Sequence, residues 1–125
     1  MAVSSTRAIT ITAIPTDAVL PAGSKKEAGD IEIKSACGSD LMSDVLAYVK
    51  EQGILLTGLV NPQVIRTAEM MDMVCIVFVR GKKPSEDMIK LAEERDIALL
   101  STGYRMFTAC GLLYSNGLRG GCEDE

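Results

Sequence analysis

Three times along the second half of the chain, a short unbroken apolar run is followed by a stretch in which apolar residues recur every three or four positions. The runs are Ile54-Leu55-Leu56, Val74-Cys75-Ile76-Val77-Phe78-Val79 and Ile97-Ala98-Leu99-Leu100. They close on Thr57-Gly58, Arg80-Gly81 and Ser101-Thr102-Gly103. Apolar runs of this length without polar alternation predict strands covered on both faces. The intervening stretches predict helices. Asn61-Pro62 supplies a cap and a first-turn proline ahead of Val64, Ile65, Ala68 and Met71. Pro84 opens a second helix that turns Met88, Ile89, Leu91 and Ala92 inward and Glu86, Asp87, Lys90, Glu93 and Glu94 to water. The third helix places Met106, Phe107, Cys110, Leu113 and Tyr114 on one side and stops at Asn116-Gly117.

Farther upstream, Leu41, Met42, Val45, Leu46 and Val49 draw the stripe of a helix ending near Gly53, with Ser39 or Asp40 as its cap. Before residue 40 the period drops to two. Ile9 and Ile11 alternate with Thr10 and Thr12 up to Pro15, and Ile31 and Ile33 share one side of Asp30 to Ser35, which predicts short edge strands. Strand-helix units in series imply parallel strands joined by right-handed crossovers. The expected fold class is therefore α/β, a three-layer α/β/α arrangement with a largely parallel sheet of about four to six strands. Residues 1–118 are expected to form one domain and 119–125 a mobile acidic tail.

At 125 residues the chain has room for one core, and 47% hydrophobic with 24% charged residues is the balance of a folded soluble protein. It contains no histidine and no tryptophan. That removes Ser-His and Cys-His nucleophile systems, histidine metal sites and imidazole pH switches. Thirteen Lys+Arg against seventeen Asp+Glu leave a formal charge of −4, and the only clusters of positive charge are Lys25-Lys26 and Arg80-Gly81-Lys82-Lys83. A nucleic-acid partner is not expected. The N-terminal segment has no apolar signal core and no stretch approaches the ~18 apolar residues of a membrane span, so a cytoplasmic location is expected. Cys37, Cys75, Cys110 and Cys122 show no C-x-x-C or other metal-ligand spacing. Cys75 and Cys110 read as small core residues, and Cys37 as a loop cysteine just ahead of a helix.

In an open parallel sheet, ligands bind beyond the carboxyl ends of the strands. The candidate ligand-binding residues there are Thr57, Gly58, Asn61, Arg80, Gly81, Lys82, Ser101 and Thr102. Each loop combines a glycine, a hydrogen-bonding side chain and a following helix start, a combination suited to a phosphate or carboxylate. The competing reading makes the same residues caps, turns and solvated lysines. Neither G-x-x-x-x-G-K-[ST] nor G-x-G-x-x-G is present, and the carboxylate pairs Glu86-Asp87 and Glu93-Glu94 fall on the polar face of a helix. No catalytic residue, metal or cofactor is expected.

From Asp17 to Leu118 the order of segments resembles the DRTGG domain family. The resemblance is carried by Gly53-Ile-Leu-Leu-Thr-Gly58, Val74-Cys-Ile-Val-Phe-Val-Arg-Gly-Lys-Lys-Pro-Ser85, Leu91-Ala-Glu-Glu-Arg-Asp-Ile-Ala-Leu-Leu-Ser-Thr102 and Tyr104-Arg-Met-Phe-Thr-Ala-Cys-Gly-Leu-Leu-Tyr114. It implies a fold like the N-terminal domain of HPr kinase and a regulatory or dimer-forming role with no established activity. Related domains occur alone, between CBS domains of some inorganic pyrophosphatases and within some phosphotransacetylases. Free-standing members encoded near iron hydrogenases imply a link to anaerobic hydrogenase metabolism. The chain departs from the family at its namesake letters, with Val79-Arg80-Gly81 in place of Thr-Gly-Gly and Asn61-Pro62 in place of the charged pair. The leading expectation is a small non-catalytic regulatory or assembly domain that forms a homodimer and acts on a protein partner. A nucleotide or small-anion sensor using the strand-end loops is the alternative, and an iron-sulfur or redox accessory protein the third reading. The expected dimer surfaces are the first strand with Ile9 and Ile11, as a free edge, and the last helix with Leu112 and Leu118 facing out.

Overall fold

The computed structural model describes residues 9–10, 17–19, 32–45 and 53–118. Its elements in chain order are β1 (Ile9–Thr10), β2 (Asp17–Val19), β3 (Glu32–Ile33), β4 (Ser35–Gly38), α1 (Met42–Val45), β5 (Gly53–Thr57), α2 (Pro62–Met70), β6 (Cys75–Phe78), α3 (Glu86–Glu94), β7 (Ala98–Ser101) and α4 (Met106–Ser115). The acidic tail, Ile11 and the later part of the helix expected up to Val49 lie outside the described residues.

Five strands form one sheet in the order β2-β7-β6-β5-β4. β4 to β7 are parallel, and β2 closes the β7 side antiparallel, with Asp17 opposite Ser101 and Val19 opposite Leu99. Every residue of β5, β6 and β7 is buried, as the unbroken apolar runs require. Alternate side chains then feed two cores. Ile54, Leu56, Cys75, Val77, Ala98 and Leu100 meet Ala109 and Leu113 of α4 on one face. Leu55, Ile76, Phe78 and Leu99 meet α1, α2 and α3 through Met42, Val45, Val64, Ile65, Ala68, Met88 and Ala92 on the other. The expected three layers are present.

Three helices end in the same way. After α2, Met73 N–H donates to Ala68 O at 2.8 Å. After α3, Ile97 N–H donates to Ala92 O at 2.9 Å, and after α4, Leu118 N–H donates to Leu113 O at 3.1 Å. These are Schellman closures, in which the chain reverses through one left-handed residue and folds an apolar side chain back on the helix. The left-handed residues are Asp72, Asp96 and Gly117, and Met73, Ile97 and Leu118 are all buried.

This closure corrects one expectation, because Leu118 sits in the core rather than facing out, and Leu112 packs half-buried against the same core. Three further readings change. The segment from Asp30 to Ser35 is not one strand: Ile33 pairs with Ile9 in a separate two-stranded ribbon, and Ser35 begins β4 at the sheet edge. β1 thus belongs to this ribbon, paired on one side, and not to the main sheet. Cys37 lies within β4, not in a loop. Phe107 and Tyr114 of α4 point to solvent, and Leu41 is exposed ahead of α1. Among the described residues no helix is long and apolar enough to cross a membrane.

Candidate functional site

Because β4 to β7 are parallel, the loops leaving their carboxyl ends meet along one edge of the sheet. Asp40, just past β4, reaches across to the loop after β5. Gly58 N–H donates to Asp40 Oδ1 at 2.6 Å, and the Thr57 hydroxyl donates to the same oxygen at 3.1 Å. The buried Thr57 Oγ1 accepts from Leu59 N–H at 3.1 Å, so the hydroxyl is used in both directions. The other carboxylate oxygen of Asp40 stands 3.8 Å from Arg80 Nη2.

Arg80 is the hub of this edge. Its φ of 60° and the 71° of Gly81 are both left-handed, and Lys82 N–H closes the turn on Val79 O at 3.2 Å. Two left-handed central residues make a primed turn, which glycine enters freely and other residues enter at a cost of roughly 1 kcal/mol or more. The turn aims Arg80 N–H at Tyr104 O (2.7 Å) and Gly81 N–H at Thr102 O (2.8 Å), which ties the loop after β6 to the loop after β7. The guanidinium meanwhile covers Gly58, where a β-carbon would collide with it. One residue therefore joins the loops after β4, β5 and β7. It stands within the Val79-Arg80-Gly81 triplet that departs from the resembled family's letters.

The sequence-predicted ligand residues are brought to this edge, but most are spent internally. Thr57 and Gly58 hold Asp40. Asn61 caps α2 by accepting from Gln63 N–H at 2.8 Å. The buried Ser101 hydroxyl donates to Lys82 O at 2.7 Å, and buried Thr102 Oγ1 accepts from Tyr104 N–H at 3.3 Å. Arg80, Gly81 and Lys82 remain exposed, beside exposed Lys83, Tyr104 and Arg105. From Val79 to Ser85 and from Ser101 to Leu118 the chain has no acidic residue, so, Asp40 aside, the charges these two loops bring to the rim are positive. Sequence reasoning offered Asp40 only as a helix cap. Its acceptor role spans 17 or 18 positions, and no local pattern signals it.

Cys75 is fully buried, and Cys110 is half-buried beside Cys37. Burial pushes the Cys75 thiol well above its ordinary pKa, and burial, then the neighbouring Cys37, raise that of Cys110. Among the described residues no three Cys, His, Asp or Glu side chains are grouped to hold a metal. Cys122 lies outside the described residues.

No protein-family model and no curated protein matches the sequence. A solved structure does match: the CBS and DRTGG domains of the regulatory region of Clostridium perfringens pyrophosphatase, complexed with the activator diadenosine tetraphosphate. It superposes with a TM-score of 0.64 at 16% identity, over 82% of this chain and 43% of that one. This chain thus spans less than half of the region it resembles, and the likeness is one of fold, a DRTGG-like α/β arrangement.

Proposed function

We propose that this chain is a non-catalytic regulatory or assembly domain of the DRTGG type that acts through homodimerisation and a protein partner. The observation that carries this reading is Asp40. Where an open α/β sheet holds its ligand, the chain supplies its own carboxylate to the Gly58 N–H and the Thr57 hydroxyl. An anion entering that position would have to displace it. The similar fold in a pyrophosphatase regulatory region supports a regulatory role. Titration calorimetry with adenine nucleotides and phosphometabolites is expected to give no saturable binding, and co-purification from the native cell is expected to recover a protein partner, with a hydrogenase component as the candidate implied by the sequence resemblance.

A nucleotide or small-anion sensor is the second reading, favoured by the basic rim of Arg80, Lys82 and Arg105 and by the nucleotide activator of the similar region. Saturable nucleotide binding that Lys82→Ala abolishes would establish it over the first. The iron-sulfur reading has no ligand grouping among the described residues to support it. Anaerobic reconstitution followed by a featureless absorption spectrum would remove it.

A further inference from the structure

We infer that the basic rim at the carboxyl edge of the sheet is a docking surface for an acidic segment of a partner protein, whose carboxylates pair with Arg80, Lys82 and Arg105. The inference rests on the protein-partner reading above and gives that partner its chemistry. Arg80 is the centre of the surface. Its half-exposed guanidinium is laid over Gly58 from a left-handed backbone, yet its approach to Asp40, at 3.8 Å, is too long for a hydrogen bond. Among the described residues its five N–H donors meet no hydrogen-bond acceptor. A planar fork held in place at a cost in backbone strain, with its donors unspent, is suited to clamping a carboxylate from outside the chain.

Charge and donor layout select the occupant. The loops after β6 and β7 bring Arg80, Lys82, Lys83 and Arg105 to the rim, all exposed, and no carboxylate. On a chain with a formal charge of −4, this is where an acidic segment is drawn. A compact phosphate is poorly served, because the backbone donors of the Arg80-Gly81 turn are spent on Tyr104 O and Thr102 O, which leaves side chains spread over two loops. Carboxylates spaced along a peptide match that layout. The edge already accommodates one carboxylate, since Gly58 N–H and the Thr57 hydroxyl hold Asp40 beside the same guanidinium. Tyr104 is 42% and Phe107 91% exposed, and they flank Arg105 in the chain, so apolar residues between the acids meet aromatic surface. The frame beneath is fixed through the main chain. Lys82 O accepts from the Ser101 hydroxyl and Arg105 O from Ala109 N–H, so neither side chain is needed to hold its loop.

Fluorescence anisotropy with a labelled peptide of glutamate pairs separated by single leucines tests the inference. The unaltered chain is expected to bind it saturably, with an affinity that falls as salt rises. Arg80→Gly, which relieves the backbone as it removes the guanidinium, is expected to weaken binding about tenfold. Adding Lys82→Ala and Arg105→Ala is expected to abolish binding with an unchanged circular dichroism spectrum. A flat titration with the unaltered chain, or equal binding by the triple variant, overturns the docking surface. Inorganic tripolyphosphate that binds more tightly than the peptide overturns it too, in favour of the anion sensor. The protein-partner reading fails separately. It is lost if co-purification from the native cell recovers no protein, and it stands without this surface if the recovered partner binds the triple variant as well as the unaltered chain.

Discussion

Arg80 holds a backbone conformation that glycine would adopt without strain, so its side chain and its main chain oppose each other. Arg80→Gly relieves the backbone and loses the guanidinium, whereas Arg80→Ala loses the guanidinium and keeps the strain. Because the half-exposed pair with Asp40 contributes at most about 1 kcal/mol, Arg80→Gly is expected to match the original chain in urea unfolding, and Arg80→Ala to fall below the glycine variant by about 1 kcal/mol. An alanine variant more stable than the glycine variant would refute the strain. Asp40→Ala strands the Gly58 N–H and the buried Thr57 hydroxyl and is expected to cost about 1–3 kcal/mol, with Asp40→Asn losing less because an acceptor remains. Cys75 adds a dependence on alkali. Its folded pKa is raised, so above the ordinary thiol value of about 8.5 the unfolded chain ionises and is favoured while the folded chain keeps its proton. Stability contributed below that pH is lost as pH rises, and Cys75→Val is expected to flatten the decline measured by thermal unfolding.

Helix and strand types were legible wherever one pattern had one solution. Ile54 to Leu56, Val74 to Val79 and Ile97 to Leu100 contain no polar position that could face water, and each contains a buried strand. α3 shows its inner face because its outer one is charged. α4 does not. Its ten residues, Met106 to Ser115, offer apolar groups in every direction, so spacing alone could not tell the face holding Ala109 and Leu113 from the one holding Phe107 and Tyr114. Leu118 is hidden from the pattern for a different reason: Asn116-Gly117 marks only a stop, whereas a glycine stop followed by an apolar residue folds that residue back onto the core. At the edge, Asn61 was legible as either cap or ligand, and its bond to Gln63 N–H makes it a cap. Asn61→Ala is therefore expected to lower stability by about 1 kcal/mol in chemical denaturation. α4 approaches the sheet closely at Gly38, where a β-carbon would come 2.7 Å from Cys110 Sγ and 3.0 Å from Met106 Sδ. Gly38→Ala is expected to cost about 1–3 kcal/mol through overpacking, and a neutral effect on the urea midpoint would mean that α4 can lift from β4.

Over the whole molecule, the parallel part of the sheet follows from the order of strand-helix units, but the place of the N-terminal strands does not. Asp17 to Val19 has only weak alternation, and its register against Leu99 to Ser101 is set by a tertiary partner that is distant in sequence. That pairing shapes how the chain acquires its structure. β4 to β7 can form progressively, each strand settling beside the one before it, with only a crossover between them. β2 must wait. Its mate is the last strand of the sheet, so during synthesis Asp17 leaves the ribosome long before Ser101 exists to receive it, and closing so long a loop is entropically unfavourable. Capture of β2 by β7 is therefore expected to be the last strand pairing of the sheet to form. In native-state hydrogen exchange, β2 amides are expected to open through a smaller free energy than those of β6, which has a neighbour on each side. The antiparallel border strand is thus expected to be a clasp that closes after the parallel strands and opens before β6.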